Sequence, residues 1–112
     1  MQDRILALLG IAARAGKIVS GGFSAEEAVR SRKARLVIIA KDAKNNTIKK
    51  FTDKCSFYKI PVCFYGSKDT LGHAVGREDR ACVAVTDRGL AESIERLFED
   101  LGKGGCDGNE DQ

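Results

Sequence analysis

The residues of this 112-residue chain best suited to chemistry are basic, and several bracket one apolar segment. Lys33 and Arg35 lie just before the apolar run Leu36–Ala40, and Lys41 and Lys44 follow it. Residues 1–60 hold 13 Lys and Arg against 5 Asp and Glu, whereas residues 61–112 hold 6 against 11. Lysine and arginine neutralise phosphate groups. The pattern therefore predicts a polyanion partner for one surface of the protein.

Groups that could act as a general acid or base are few. His73 is the only histidine, and Glu78 and Asp79 form one acidic loop. His73 cannot be assigned to a triad with a serine or cysteine from the sequence, and the glycines around it are spaced too widely for a phosphate-binding loop. We therefore expect no catalysis, no cofactor and no small-molecule substrate.

Cysteine spacing does not favour a metal site. Cys55, Cys63, Cys82 and Cys106 are 8, 19 and 24 residues apart, with no CxxC pair. Cys63 and Cys82 fall in apolar runs and are expected to be buried free thiols. No signal-peptide pattern and no apolar run of the roughly 20 residues needed to span a membrane is evident. A reducing, cytoplasmic location without membrane contact is therefore expected.

The apolar periodicity predicts five helices that alternate with four short strands. The expected helix N-caps are Ser24 (with Glu27 completing a capping box), Asn46, Ser67 and Asp87. The alternation predicts an α/β fold, a three-layer α/β/α sandwich with a mixed sheet of about four strands. One domain should occupy residues 1–100, followed by a disordered tail at 101–112.

Phe23 is the aromatic residue of most interest, because it follows two glycines at an expected helix start. Its ring could stack on an unpaired base, as in many RNA-binding proteins. It could equally pack on its own helix as an N-terminal staple. The residues alone leave both alternatives open.

Seven segments of the chain resemble the bacterial YlxQ-type proteins of the ribosomal protein L7Ae/L30e superfamily. They are Arg14–Gly21, Lys33–Ala43, Asn46–Lys50, Asp53–Cys55, Ile60–Val62, Leu71–Gly76 and Ala84–Gly89. The resemblance implies an α/β/α sandwich that binds structured RNA, typically at kink-turns with tandem sheared G·A pairs.

The chain keeps only part of the motif with which the family reads RNA. Kink-turn binders begin the second helix with Gly-x-Asn-Glu-x-x-Lys. Gly21 matches this motif, but Phe23, Ser24 and Glu27 stand at its Asn, Glu and Lys positions. A carboxylate in place of a phosphate-facing amine is repulsive. The second RNA-facing loop, residues 76–81, is mostly charged here, where kink-turn binders usually present apolar side chains.

We therefore expect non-enzymatic binding of structured RNA, of the kink-turn or ribosomal kind, with the kink-turn specificity residues largely absent. One surface around the starts of the second and third helices should carry most of the contacts. The expected RNA-binding residues are Lys17, Gly21, Gly22, Phe23, Ser24, Glu27, Arg30, Lys33, Lys41, Lys44, Arg77 and Arg80.

The alternative is a protein-interaction module that keeps the fold but has lost RNA recognition. Its partner would dock near Phe23 or on the acidic final helix. The carboxylates of that helix are Glu92, Glu95, Glu99 and Asp100.

Overall fold

A computed structural model describes residues 3–100 as helices and strands in strict alternation. The elements are α1 (Arg4–Arg14), β1 (Ile18–Ser20), α2 (Gly22–Arg30), β2 (Leu36–Ile39), α3 (Asn45–Tyr58), β3 (Val62–Phe64), α4 (Lys68–Ala74), β4 (Cys82–Val85) and α5 (Arg88–Asp100). The tail expected to be disordered, residues 101–112, lies outside the described residues.

The four strands form one mixed sheet in the order β1-β4-β2-β3. β2 runs parallel to β3, and β4 is antiparallel to both of its neighbours. Every residue of β2 and β4 is buried. Strands buried on both faces read as continuous apolar runs, and these two strands are the central pair of the sheet.

Helices cover both faces of the sheet. Leu36 and Ile38 of β2 pack with α1, α4 and α5, whereas Val37 and Ile39 pack with α2 and α3. Alternate residues of a strand point to opposite faces, so one strand supplies both cores. Burial of each large apolar side chain, such as the fully buried Phe51, contributes about 1.5–3 kcal/mol. The predicted three-layer α/β/α sandwich is confirmed.

Two of the expected helix caps are confirmed. The Thr70 N–H donates to Ser67 Oγ at 3.1 Å, and the Leu90 N–H donates to Asp87 Oδ2 at 2.9 Å. Ser67 and Thr70 also form a reciprocal capping box. These bonds satisfy backbone donors that have no acceptor inside their helices.

The expected caps of α2 and α3 are wrong. α2 begins at Gly22, so Ser24 lies inside its first turn, and α3 begins at Asn45, so Asn46 does as well. The caps are Gly21 and Lys44, and neither makes a side-chain capping bond. The two helices begin earlier than predicted. A glycine-specific conformation at Gly21 and an extended backbone at Lys44 lead into them without a side-chain hydrogen bond.

The expectation for the cysteines is confirmed for Cys82 and wrong for Cys63. Both are buried, but Cys63 is disulfide-bonded, whereas Cys82 and Cys55 are free thiols. Burial raises the pKa of the Cys55 thiol to about 12 and that of Cys82 to about 11. These two thiols are therefore protonated at neutral pH and are poor nucleophiles.

A carboxylate joins the two helices on one face of the sheet. Glu26 of α2 lies 3.5 Å from Lys50 Nζ and 3.4 Å from Lys54 Nζ of α3. Partial burial raises the pKa of Glu26, but hydrogen bonds and charges from the two lysines outweigh that effect and lower the pKa below 4.5. Folding therefore favours the ionised carboxylate.

We predict that Glu26→Gln lowers the free energy of unfolding at neutral pH by about 0.5–1 kcal/mol, as expected for a partly exposed ion-pair network. Because the folded pKa is lowered, this contribution is present above the unfolded pKa and is lost as the pH falls through the folded pKa. Urea unfolding at neutral and stepwise lower pH measures the difference. Asp53→Asn is the control, because Asp53 and its partner Lys49 are both highly exposed. Equal losses in both variants would contradict the prediction.

Candidate nucleic-acid interface

The helices α2, α3 and α4 begin at the same end of the sheet. β1, β2 and β3 end there and β4 begins there, since Ser20 pairs with Val83 and Ile39 pairs with both Cys82 and Phe64. We call this end the helix-start edge and define it by residues 20–24, 40–45, 65–69 and 76–81. The topology therefore gathers the starts of α2, α3 and α4 beside the loop that precedes β4.

Hydrogen bonds hold the loops of the helix-start edge together. The Lys41 N–H donates to the Gly66 carbonyl at 2.9 Å, and the Lys68 N–H donates to Asp42 Oδ1 at 2.8 Å. The Arg80 N–H in turn donates to the Lys68 carbonyl at 3.0 Å. These loops therefore form one fixed surface, although they are far apart in the chain.

Arg80 is positioned by the protein itself. Its Nε donates to Ser20 Oγ at 3.1 Å, and its Nη1 donates to the Asp79 carbonyl at 2.9 Å. A cavity of about 310 Å³ opens beside this contact, with Ser24 and Arg77 in its walls. Arg80 thus links β1 to the loop before β4. Arg77 is exposed at the rim of the cavity.

The starts of α2 and α3 are open to a ligand. Neither has a side-chain cap, so the N–H groups of residues 22–24 and 45–47 lack helical acceptors. Gly21 has φ +94° and ψ 153°, a conformation that is essentially restricted to glycine. Helix N-termini carry a partial positive charge, which favours phosphate. The two open starts add this charge to that of Lys41 and Lys44.

Phe23 lies in the first turn of α2 with its side chain in solvent. It is 80% exposed, more than the other large exposed apolar residues among those described. The ring is therefore not packed on its own helix, and the staple alternative is wrong. Gly22 and Ser24 beside it are also exposed, so a flat ligand could reach the ring.

Eight of the twelve expected RNA-binding residues lie at the helix-start edge. They are Gly21, Gly22, Phe23, Ser24, Lys41, Lys44, Arg77 and Arg80. Sequence reasoning missed Lys68, which reaches this edge because β3 pairs in parallel with β2. No local pattern around Lys68 indicates that pairing.

The other four expected residues lie elsewhere. Glu27 is in the middle of α2 and forms an ion pair with Arg30 at the end of that helix. Lys33 precedes β2, and Lys17 precedes β1, where its carbonyl accepts from the Thr86 N–H at 2.9 Å. The expectation of one surface is therefore wrong for Lys17, Arg30 and Lys33, which lie at the opposite end of the sheet.

The three groups considered for acid–base chemistry lie around one cavity beside the loop that precedes β4. His73, Glu78 and Asp79 are all exposed around a shallow cavity of about 490 Å³. In residues 3–100 there is no cluster of three or more side chains that could hold a metal ion. None of the described helices is long and apolar enough to cross a membrane.

Fold and edge together define a small α/β/α domain in which glycine, exposed cations and two helix starts without side-chain caps share one edge. The Ribosomal protein L7Ae/L30e/S12e/Gadd45 family matches residues 3–95, and the chain belongs to this family. The resemblance found in the sequence segments is thereby confirmed.

Two bacterial relatives carry the name RNA-binding protein YlxQ. The Bacillus subtilis protein is 45% identical over 92 residues, which cover 82% of this chain and 92% of the relative. The Enterococcus faecium protein is 33% identical over 98 residues, which cover 88% and 94%. These relatives match along nearly their whole length.

Two solved structures have the same fold. A Bacillus halodurans protein of unknown function superposes with a TM-score of 0.84 at 37% identity, covering 88% of this chain and 99% of its own. The Giardia lamblia 15.5kD RNA binding protein gives a TM-score of 0.76 at 26% identity, covering 90% and 92%. The sandwich is thus shared between bacterial and eukaryotic proteins.

We predict that Gly72→Ala displaces the loop before β4. A Cβ on Gly72 would lie 1.8 Å from the Glu78 carbonyl oxygen, so the backbone must move, and overpacking of this kind costs about 1–3 kcal/mol. Urea unfolding and amide exchange in residues 77–81 measure the effect. Gly22→Ala is the matched control, since it meets open space in a helix and should keep or raise stability. A Gly72→Ala variant as stable as the wild type would refute the close approach.

Proposed function

We propose that this protein binds structured RNA through the helix-start edge, without catalysing a reaction. The observation that carries the proposal is the ring of Phe23, 80% exposed at an open helix start. An aromatic ring can stack on any unpaired base, while backbone N–H groups and cations hold the phosphates. Lys41, Lys44 and Arg77 are exposed on the same edge. The names of the bacterial and Giardia relatives also support RNA as the ligand.

Kink-turn recognition should be weak in this chain. Gly21 matches the first glycine of the family's motif, but Phe23 has no polar group with which to read a G·A pair. Ser24 offers one hydroxyl, and Glu27, paired with Arg30, places a carboxylate where the motif has a lysine. We therefore propose recognition by stacking and by backbone contacts rather than by base edges.

The location and the RNA partner of the protein are predictions that accompany this proposal. Folded ribosomal RNA fits it as well as a kink-turn does, and assembly into a ribonucleoprotein in the cytoplasm stays a prediction. The alternative of a protein-interaction module on the same fold also stays a prediction, with the acidic helix α5 or the neighbourhood of Phe23 as its docking surface.

Titration with three RNAs of equal length tests the proposal: an intact kink-turn, the same RNA with its G·A pairs replaced, and a plain duplex. We expect the first two to bind within about tenfold of each other and more tightly than the duplex, because only they offer unpaired bases for stacking. All complexes should weaken steeply between low and moderate salt. Failure to bind any of the three at low salt would overturn the proposal.

Two variants separate the two kinds of contact. Phe23→Ala should lower affinity for the kink-turn RNA about tenfold with an unchanged salt slope, because stacking is worth about 1–3 kcal/mol per base. Lys41→Gln combined with Lys44→Gln should reduce the slope of log affinity against log salt by about 1.5. Lys49→Gln combined with Arg96→Gln removes the same charge from other exposed helix positions and serves as the control.

Glu27→Lys tests whether RNA approaches α2 as in the family. The change removes a carboxylate, frees Arg30 from its ion pair and adds an amine at the motif's lysine position. We expect kink-turn affinity to rise by about fivefold, the effect of roughly one further phosphate contact. Glu27→Gln distinguishes loss of repulsion from gain of a contact. Unchanged affinity in both variants would place the RNA away from α2.

A further inference from the structure

The greater concentration of positive charge lies at the end of the sheet opposite the helix-start edge. We call it the strand-start edge and define it by residues 14–17, 30–35, 59–61 and 86–88. These segments hold eight basic residues and one acidic residue, whereas the loops of the helix-start edge hold five basic and four acidic. The proposed function uses none of this charge.

The sheet places these basic segments side by side. The carbonyl of Lys17 accepts from Thr86, which follows β4, and the Arg35 N–H donates to the Val85 carbonyl at 2.7 Å. β3 begins on the far side of β2, so Lys59 extends the same row. Neighbouring strands are about 4.8 Å apart. The cations therefore form a band across the whole edge.

An exposed aromatic ring accompanies this band. Phe57, near the end of α3, is 75% exposed and meets the ring of Tyr58 edge to face at 4.9 Å. The guanidinium carbon of Arg32 lies 5.5 Å from the centre of the Tyr58 ring. A cavity of about 520 Å³ beside them is also lined by Arg35 and Lys59. The edge thus combines cations with a ring free to stack, as single-strand binding surfaces do.

Carboxylates offset only part of this charge. Arg88 pairs with Glu92 at 3.2 Å, and Glu95 also lines the cavity. Arg30 is paired with Glu27. Within residues 3–100 six cations of the edge form no ion pair: Arg14, Lys17, Arg32, Lys33, Arg35 and Lys59.

Two of these cations occupy positions that favour glycine. Arg32, one residue beyond the C-cap of α2, has φ +64°, and Lys59, the C-cap of α3, has φ +61°; both lie in the left-handed region. A side chain there is conformationally unfavourable, and glycine is the usual residue. Glycine at these positions would remove charge from the edge while relieving backbone strain.

We infer that the strand-start edge is a second RNA-binding surface, one that takes an unpaired strand. Arg32, Arg35 and Lys59 hold its phosphates, and Phe57 stacks on one base. α3, about 21 Å long, separates this surface from Phe23 and the helix-start edge. The protein therefore contacts two RNA segments at once and can bridge them. The inference shares with the proposed function only the nature of the ligand.

Binding of fluorescein-labelled octaadenylate at low salt, followed by anisotropy, tests this surface directly. Arg32→Gly combined with Lys59→Gly should weaken binding by about tenfold while keeping or raising stability in urea. Phe57→Ala should weaken it at least about fivefold with unchanged stability, since the ring is exposed. The control pair Lys49→Gln with Arg96→Gln should change it by less than about twofold.

A second measurement separates this inference from the proposed function. Protein that holds one equivalent of kink-turn RNA should still bind octaadenylate, and native mass spectrometry should show one protein with both RNAs. If kink-turn RNA is not bound but octaadenylate binding still depends on Phe57, Arg32 and Lys59, the proposed function fails and the second surface stands. Three results overturn the second surface. They are no binding of octaadenylate by the wild type, normal binding by both Phe57→Ala and the Arg32→Gly, Lys59→Gly double variant, or displacement of octaadenylate by one equivalent of kink-turn RNA.

Discussion

The position of β4 between β1 and β2 is the constraint on which the rest of the structure depends. β4 is the last of the described strands but is central in the sheet, and it is antiparallel to both neighbours. This insertion brings the loop at 76–81 beside the starts of α2 and α3. It also brings Thr86 between Lys17 and Arg35. One strand therefore assembles both basic edges from segments that are distant in sequence.

The apolar core explains why charge collects at the two ends. Among residues 3–100, no polar or charged residue is buried, and both faces of the sheet are covered by helices. Burial of an unpaired charge is costly, so charged side chains lie on outer helix faces and in the loops at either edge. On one outer face the Glu26 network already uses Lys50 and Lys54. The loops carry the cations left for a ligand.

The helices and strands were predictable from the sequence. Which of the loops between them lie at the same edge of the sheet was not. Continuous apolar runs are typical of central strands such as β2 and β4. The caps Ser67 and Asp87 were predictable because a cap depends on residues that are neighbours in the sequence. Strand pairing depends on long-range contacts. Lys17, Arg30 and Lys33 were therefore grouped with Lys41, although the sheet separates them. The early start of α2 at Gly22 was missed because a backbone conformation, not a side-chain bond, begins that helix.

The helix dipoles affect the two edges differently. At the helix-start edge the open ends of α2 and α3 add partial positive charge to few cations, so little side-chain charge is needed there. At the strand-start edge the same helices present their negative ends, which Arg32 and Lys59 must first offset. α5 begins at this edge, but the Asp87 carboxylate caps its first turn, so the excess of basic residues supplies most of the positive charge. Because side-chain charge there outweighs an opposing backbone field, RNA bound at the strand-start edge would depend more on individual lysines and arginines than RNA bound at the helix-start edge.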